Sequence, residues 1–420
     1  MPDGVRRRTA DGRTAGRLAN ARPVARPATP GLLRQLNDRA ALELLLPGDP
    51  LTRAQLAEAT GASRVTVAQI LIRLEDRGLV QAVGEVASSR GPNAVLYSVV
   101  PSSAYVAALY VESGLVSVAV ADVTGRVIAE VRENPDDTED LVLLVRGAVD
   151  RACRQAGLRV SALSSLVIGS PGVINPSTGE RTFAVRLPAW HEGVLAELRG
   201  TLRRPPMIEN DVNLAAIAER AHGAAVGVDD FVLVWIGVGL GMAISLGGRL
   251  HRGATGAAGE IGYLPLPGAP VSADVGHPDK GGFQWLAAAE AVRGLARAYE
   301  FDGEAAEDSV RTAVETLNAA RTRTVNSRAR EFMKELAHRV ALGVTSICTV
   351  LDPGLVVLGG ELGLAGGTEL SGQVRAEVTR MCLARPRIVP TEVPSEPVVR
   401  GALLAAVDEA RADLLASVEA

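Results

Sequence analysis

The hydrophobic pattern of residues 51–79 predicts two short helices joined by a tight turn. Thr52 begins a capping-box sequence, and Ser63 is placed to cap the second helix. Gly61 lies between them, where the turn needs a residue that tolerates positive φ. In the second helix, apolar residues recur at helical spacing and should face the first helix: Val67, Ile70, Leu71 and Leu74.

The opposite face of the second helix is polar and suits a DNA groove. Such a helix can lie in the major groove with its N-terminal residues at the base edges, while the first helix crosses the phosphate backbone. Arg64 can pair with guanine and Gln69 with adenine. Arg53 and Arg73 suit phosphates, which position a protein without reading sequence. The alternative is an ordinary helical hairpin with a solvated face, but two caps, a glycine turn and a glycine stop at this spacing favour DNA binding.

The flanking segments extend this unit to a winged helix-turn-helix over residues 31–100. Leucines and alanines at helical spacing predict a preceding helix over 31–46. Short β-like runs at 79–84 and 94–100 predict a wing, with Arg90 at its tip. Arg90 can enter a minor groove or touch phosphate, although a solvent-facing hairpin is an equal alternative. The predicted DNA-contacting residues are Arg53, Ser63, Arg64, Thr66, Gln69, Arg73 and Arg90.

The body of the chain alternates strands and helices from residue 104 and restarts the same order near residue 230. Two β-then-α halves of one type predict a bilobal α/β body with a cleft between the lobes. The helices expected from the pattern are 138–156, 211–222, 283–300, 305–320, 327–350 and one from about 397 to the end.

Charge is divided unevenly along the chain. The net charge is -4, but residues 1–100 hold 14 Arg, no Lys and 9 acidic residues, which gives +5 and leaves -9 for the other 320. A basic front and an acidic body indicate that DNA is held at one end only. Residues 1–30 are rich in Arg, Pro, Ala and Gly, and we expect a disordered basic tail.

Length and composition are those of a cytoplasmic globular protein. A chain of 420 residues suggests two to four domains, at roughly 100–200 residues each. No apolar run is long enough for a bilayer span, and the chain does not open on a signal peptide. Cys153, Cys348 and Cys382 are far apart and odd in number, so we expect buried, reduced thiols.

Several motifs in the same order resemble the ROK family of sugar kinases and sugar-responsive repressors. They run through residues 31–415, and the winged helix-turn-helix is typical of the repressor branch only. The resemblance implies an actin-like, ribonuclease-H-like ATPase (sugar kinase) fold for the body. The matching segments are "VIGSPGVINPSTGE", "LPAW", "IENDVNLAAIAER", "GVGLGMAISLGGRLHRGATGAAGEIGYLPL" and "LDPGLVVLGG".

The chain departs from the kinases of the family in the first phosphate loop. The family has Asp-x-Gly-Gly-Thr there, and the corresponding residues here are Tyr110, Val111, Glu112, Ser113 and Gly114. Side chains larger than glycine keep backbone amides away from a phosphate, and Glu112 adds a negative charge. Phosphoryl transfer depends on positioning and charge neutralisation, so we expect no catalysis and no nucleotide cofactor. Asp211 matches the catalytic base and is left as a hydrogen-bond acceptor for a ligand hydroxyl.

The family's zinc site is also altered, and with it the expected sugar site. Tyr263 replaces the zinc-binding His, the family's three-cysteine cluster has no counterpart, and His277 alone is expected to be a surface residue. We therefore expect no metal. A retained effector site would use Asn210, Asp211, Glu260, Tyr263 and Arg186, of which Arg186 favours an acidic or phosphorylated ligand. Alternatively, Asn210 only caps a helix and Glu260 faces a lobe interface.

Taken together, the sequence predicts a DNA-binding regulator, interpreted as a repressor of sugar or secondary metabolism genes. Domains are expected at 31–100 (DNA binding), 104–210 with helix 397–418 (lobe 1) and 211–396 (lobe 2). A homodimer or tetramer would span a palindromic operator near the nucleoid, and a sugar, sugar acid or sugar phosphate would shift its conformation. Two alternatives stay open: an active sugar kinase with an accessory DNA-binding domain, and a regulator that senses no ligand.

Overall fold

The computed structural model describes most of the chain after its first 29 residues. The described ranges are 30–87, 93–112, 114–135, 140–174, 181–183, 193–194, 198, 200–202, 204–276, 280–301, 303–319 and 323–419. The predicted basic tail, the wing tip with Arg90, the "LPAW" segment with Arg186, and His277 lie outside these residues.

The first unit is a three-helix domain with a small antiparallel sheet. Its strand order is β1-β3-β2, and the pairing of β2 with β3 forms the predicted wing. Its elements are α1 (Pro30–Leu45), β1 (Leu51–Thr52), α2 (Arg53–Thr60), α3 (Arg64–Asp76), β2 (Val80–Val86) and β3 (Ala94–Val99). The predicted preceding helix, helix pair and wing strands are confirmed.

Lobe 1 is built on a five-stranded mixed sheet with the order β10-β7-β4-β5-β6. Three strands form an antiparallel meander, and β7 and β10 add to it in parallel. Its elements are β4 (Tyr105–Glu112), β5 (Leu115–Asp122), β6 (Val127–Glu133), α4 (Leu141–Gln155), β7 (Leu163–Ser170), β8 (Val173–Ile174), β9 (Arg181–Phe183), β10 (Met207–Asn210) and α5 (Asp211–His222).

Lobe 2 repeats this plan. Its sheet has the order β13-β12-β11-β14-β15, again a meander followed by two parallel strands, which confirms the predicted restart. Its elements are β11 (Phe231–Ile236), β12 (Leu240–Leu246), β13 (Arg249–Leu250), α6 (Gly282–Ala287), α7 (Ala289–Ala298), α8 (Ala306–Asn318), α9 (Arg323–Leu351), β14 (Leu355–Gly359), α10 (Gly360–Met381) and β15 (Arg387–Pro390).

The chain crosses between the lobes twice, through α5 and through the segment 391–396 that leads into α11 (Pro397–Glu419). Helix α11 returns to lobe 1, where it packs on α5, β4 and β7. The two helices meet at Gly401, where a Cβ atom would overlap the carbonyl oxygen of Leu214. Only a glycine allows the backbones to approach this closely.

Two elements of lobe 2 were not predicted, and one predicted helix is divided. Helix α10 contains five glycines, which lower helix propensity, but its apolar side chains Leu362, Leu370, Val374 and Val378 are buried in the lobe 2 core. Tertiary packing therefore outweighs local preference. Strand β15 is short and was also missed. The helix predicted over 283–300 is broken at Ala288, whose backbone is extended.

The remaining expectations from composition are met in part. Cys153 and Cys348 are buried free thiols, whereas Cys382 is only half-buried, so the expectation of burial is wrong for that residue. Burial raises the pKa of Cys153 to about 11 and that of Cys348 to about 12. None of the helices in the described ranges is long and apolar enough to cross a membrane.

Replacing Gly401 by Ala should destabilise the protein because the added methyl group must push α5 and α11 apart. We expect the free energy of unfolding to fall by about 1–3 kcal/mol, as in other overpacked sites. Gly372→Ala is the matched control, since Gly372 lies inside α10 with open space at its Cβ position, and should be neutral or slightly stabilising. Urea unfolding of both variants measures the difference, and equal stabilities would contradict a tight crossing at Gly401.

Candidate DNA-binding surface and ligand cleft

The two helices of the predicted DNA-binding motif are capped as expected. Thr52 and Gln55 form a complete capping box at the start of α2, and Gly61 ends that helix with φ +70°. Ser63 caps α3 by accepting a hydrogen bond from the backbone N–H of Thr66 at 3.1 Å. The turn between the helices is thus fixed at both ends, which sets the direction of α3.

The outward face of α3 combines polar and apolar side chains. Arg64 and Gln69 are exposed as predicted. The buried face consists of the four predicted residues Val67, Ile70, Leu71 and Leu74. Val65 and Ile72 are also on the outer face, 70% and 55% exposed, which sequence reasoning missed. Val65 and Ile72 are seven residues apart, about two helical turns, and therefore lie on the same side of α3.

Two arginines that were expected to contact phosphates have partners within the domain. Arg73 donates two hydrogen bonds to the carboxylate of Asp38 on α1, one of them from Nε at 2.9 Å. Arg53 donates from Nε to the hydroxyl of Tyr97 at 3.1 Å and lies 5.4 Å from its ring centroid. The guanidinium of Arg73 is held by Asp38, and this ion pair joins α3 to α1. Arg53 remains at the exposed start of α2.

Helix α11 connects the helix-turn-helix domain to the body. One continuous apolar cluster includes Leu42 and Leu45 of α1 together with Leu415 and Val418 of α11. Polar contacts surround it: Arg39 pairs with Glu419 at 2.8 Å, Gln35 donates to the backbone carbonyl of Glu419, and Arg77 donates to that of Ser417 at 2.6 Å. Arg77 is the C-cap residue of α3, so the end of α11 contacts the helix predicted to read DNA.

Asn210 and Asp211 lie where β10 meets α5, at the edge of the interlobe cleft. Asn210 is the N-cap of α5: its Oδ1 accepts from Asn213 N at 3.0 Å, and its Nδ2 donates to the carbonyl of Gly172 at 3.1 Å. Asn210 thus caps α5, and its amide also holds the Pro171–Gly172 loop. Asp211 accepts a hydrogen bond from Val212 N at 2.8 Å.

Carboxylates dominate the electrostatics of the cleft. Burial, together with the nearby charges of Glu260 and Glu112, raises the pKa of Asp211 to about 6. Burial also raises the pKa values of Glu112, Glu260 and Glu361. Tyr110 donates to Glu112 at 3.2 Å, and its own pKa is raised by burial and by the charge of Asp211. An anion entering this part of the cleft meets several acidic groups.

A charged pair links the two lobes beside this cluster. Arg252, which follows β13 of lobe 2, donates from Nε and Nη2 to the carboxylate of Glu209 on β10 of lobe 1, at 2.7 and 2.6 Å. The carboxylate of Glu209 also accepts from Asn210 N and Asn213 Nδ2. The buried charge of Glu209 is thereby compensated across the cleft.

The two glycine turns that hold nucleotide phosphates in the kinase fold do not suit phosphate here. In the first, Glu112 at the end of β4 pairs with Leu115 in a tight hairpin. In the second, Gly237 N bonds to the carbonyl of Gly239, and Leu240 N bonds to the side chain of Gln284 at 3.0 Å. The backbone amides of Gly237 and Leu240 therefore already have hydrogen-bond partners. The carboxylate of Glu361 lies where a Cβ atom of Gly237 would project, and it has no hydrogen-bond partner for Oε2 in the described structure.

The residues present do not suit zinc either. Tyr263 ends the short 3₁₀ helix of residues 261–263, which begins after Glu260, and is 39% exposed. Within the described ranges, no three His, Cys, Asp or Glu side chains come together as a metal site. Structural zinc needs about four such ligands. The structure thus brings Asn210, Asp211 and Glu260 to one cleft edge, while Arg186 lies outside the described residues.

Sequence reasoning missed two residues of this cleft, Tyr110 and Glu361. Tyr110 occupies the position of the kinase Asp, so the alignment with the first phosphate loop contained the signal. Glu361 follows the two glycines at 359–360, and a charged residue after a buried strand and a glycine pair could have been noticed. Its proximity to Gly237, which is more than 100 residues away in the sequence, could not.

Comparison with known proteins agrees with this architecture. The ROK family model matches residues 113–406, and the model of the Crp-like helix-turn-helix domain matches residues 31–87. The chain belongs to the ROK family. A xylose repressor from Caldicellulosiruptor bescii is 25% identical over 238 residues, which is 56% of this chain and 60% of that repressor. The alignment thus spans less than two thirds of that relative.

Solved structures of ROK proteins share the fold. A ROK family transcriptional regulator homologous to Escherichia coli MLC superposes with a TM-score of 0.70 at 19% identity, over 92% of this chain and 99% of that one. A ROK hexokinase from Thermus thermophilus superposes with a TM-score of 0.56 at 26% identity, over 71% of this chain and 97% of the hexokinase. The predicted fold class, a winged helix-turn-helix followed by a bilobal actin-like body, is confirmed.

Replacing Asp211 by Asn should stabilise this ROK protein in a pH-dependent way. The fold raises the pKa of Asp211 from 3.8 to about 6, so the native state binds this proton more tightly and loses stability as the pH rises between those values. We expect Asp211→Asn to raise the free energy of unfolding by about 1–3 kcal/mol at about pH 7 and to change little at about pH 4.

Urea unfolding at the two pH values measures this effect. Asp49→Asn is the control, since Asp49 is exposed and should give no pH-dependent gain. A gain for Asp211→Asn that is equal at both pH values would show that its carboxyl is not perturbed by the fold.

Proposed function

We propose that the chain is a DNA-binding transcriptional repressor whose kinase-like body binds a neutral sugar and does not phosphorylate it. The observation that carries the proposal is a capped helix-turn-helix with an outward recognition helix, packed through α11 onto a body whose phosphate turns are filled. Acting on DNA, the protein would work in the cytoplasm, at the nucleoid.

The recognition surface is the outer face of α3. Arg64 and Gln69 supply hydrogen bonds to base edges, and Val65 between them supplies an apolar contact that fits a thymine methyl group. Ser63 and Thr66, whose hydroxyl groups lie 2.9 Å apart, hold the N-terminus of α3, where backbone N–H groups attract phosphate. Arg53 is a phosphate contact at the start of α2, and Arg90 extends the surface if the wing reaches the DNA.

The ligand is assigned from the charge of the cleft. Carboxylates of Asp211 and Glu260 accept hydrogen bonds from hydroxyl groups, but they repel sugar acids and sugar phosphates. A neutral sugar therefore suits the described part of the site better than the acidic ligand that Arg186 suggested. The relative named xylose repressor supports a neutral sugar. Binding would favour one lobe arrangement and so shift the population that binds DNA.

The loss of catalysis is inferred from the phosphate turns. Phosphoryl transfer needs amides or cations around the transferred group. Here, Glu112 and Glu361 place carboxylates at both turns, and Gln284 occupies the Leu240 amide. In this proposal, the body serves as a sensor and a dimerisation module. A two-fold dimer would set the spacing of the half-sites at about one helical turn or a multiple of it.

Arg64→Ala should reduce sequence-specific DNA binding more than non-specific binding, because Arg64 is assigned to a base and not to phosphate. Operator DNA is first obtained from genome-wide occupancy of the tagged protein. We expect the affinity for that operator to fall by about 10-fold to 100-fold, with a smaller change on random DNA. Arg330→Ala, on the exposed side of α9, is the control of equal charge. An equal loss of affinity for operator and random DNA would show that Arg64 does not recognise a base.

No sugar should be phosphorylated by the purified protein. With ATP, Mg²⁺ and a panel of neutral sugars, we expect ADP release to stay at the level of Asp211→Asn, since the phosphate turns are filled. The measurement is coupled detection of ADP. Sugar-dependent release that disappears in Asp211→Asn would establish the alternative, an active kinase with an accessory DNA-binding domain. Operator binding indifferent to every sugar would instead favour a regulator without a ligand.

A further inference from the structure

A cavity of about 120 Å³ lies where the two interlobe passages meet. Ala215 and Glu219 of α5 form one wall, and Thr391, Val393 and the start of α11 at Pro397 form the opposite wall. The floor is the end of the lobe 2 sheet, at Trp235 and Gly359–Gly360. The cavity thus touches both segments that connect the lobes.

Its lining is largely apolar and holds two carboxylates: that of Glu219 is satisfied, and Oε2 of Glu361, which has no hydrogen-bond partner in the described structure, lies against Gly237. The carboxylate of Glu219 accepts hydrogen bonds from Ala224 N at 2.8 Å, from Val393 N at 3.2 Å and from the hydroxyl of Thr391. None of these groups needs a ligand as a partner. The other lining side chains are apolar or aromatic: Ala215, Leu233, Trp235, Leu364, Val393, Pro394 and Pro397.

The acidic side chains of the lining disfavour negatively charged ligands. Glu361 and Glu219 both border the cavity, and a negatively charged ligand would be repelled by them at short range. A cation would have to lose its hydration shell on entering an apolar space in which the Glu219 carboxylate is already bonded. An uncharged, apolar molecule is neither repelled by the carboxylates nor required to lose a tightly held hydration shell.

Size limits the ligand further. An apolar cavity of about 150 Å³ holds one benzene molecule, so this somewhat smaller cavity takes at most a single ring or a branched chain of similar volume, and not a nucleoside, while its apolar lining disfavours the hydroxyl groups of a sugar. It adjoins the carboxylate cleft at Glu361, but its wall on α5 is displaced from that cleft, since Ala215 and Glu219 lie one and two turns beyond Asp211, about 6 and 12 Å along the helix.

We propose that this hinge cavity is a second ligand site, which takes a neutral apolar molecule about as large as one six-membered ring. Such a ligand contacts α5, the crossover segment and the first residue of α11 at once. Binding there would hold the two lobes in the arrangement that shapes the cavity. The proposal concerns binding at the hinge and does not depend on whether α3 reads DNA.

The experiment uses ring probes of equal shape and different charge on the full-length protein. The chain has three Trp residues, so 5-fluorotryptophan labelling gives three ¹⁹F signals, and Trp235→Phe identifies the one that lines the cavity. Toluene is expected to shift the Trp235 signal saturably and to raise the melting temperature. Benzoate, with the same ring and a negative charge, is expected to bind at least tenfold more weakly.

Leu364→Phe tests the location. Leu364 lines the cavity and is 44% exposed, so a larger side chain can fill the space without disturbing the core. We expect toluene binding to weaken at least tenfold in Leu364→Phe and to stay unchanged in the control Leu383→Phe, whose side chain is exposed and distant in the sequence. The absence of a toluene shift, equal binding of benzoate, or unchanged binding by Leu364→Phe with a native melting temperature would overturn the proposal.

Discussion

The structure depends on the close crossing of α5 and α11. Each helix carries the chain at one of the two passages between lobes, and they meet where Gly401 allows the backbone of α11 to lie against the carbonyl of Leu214. Gly169 of β7 makes a similar allowance, because a Cβ atom there would overlap the side chain of Val398. The apolar cluster around this crossing extends from lobe 1 to α1 of the DNA-binding domain. Sheet, pivot and DNA-binding domain therefore share one core.

The cleft of this ROK protein is dominated by acidic side chains. A nucleotide site gathers positive charge and free amides, whereas this cleft gathers carboxylates whose pKa values are raised by burial. Buried carboxylates cost stability, and at Glu209 the cost is offset by Arg252 from the other lobe. Because that pair crosses the cleft, the electrostatic balance of the site is coupled to the relative position of the lobes.

Much of this architecture could be predicted from local sequence signals. The capping residues Thr52 and Ser63 and the turn at Gly61 defined the DNA-binding motif, because caps and turns depend on neighbouring residues. The repeated β-then-α order similarly defined the two lobes. Features that depend on distant residues could not be predicted: the pairing of Arg73 with Asp38, the crossing at Gly401, and the approach of Glu361 to Gly237. Helix α10 was missed because its glycines hide a helix that is stabilised by burial.

The length of helix α11 determines how far its end moves when the helix tilts. From its pivot at Gly401 to its contact with α1 at Glu419 there are 18 residues, a rigid arm of about 27 Å at 1.5 Å per residue. A tilt of about 5° at the pivot moves the far end by about 2 Å, most of the length of a hydrogen bond. A small rotation of the lobes at the pivot is therefore enlarged at the contact between α11 and α1.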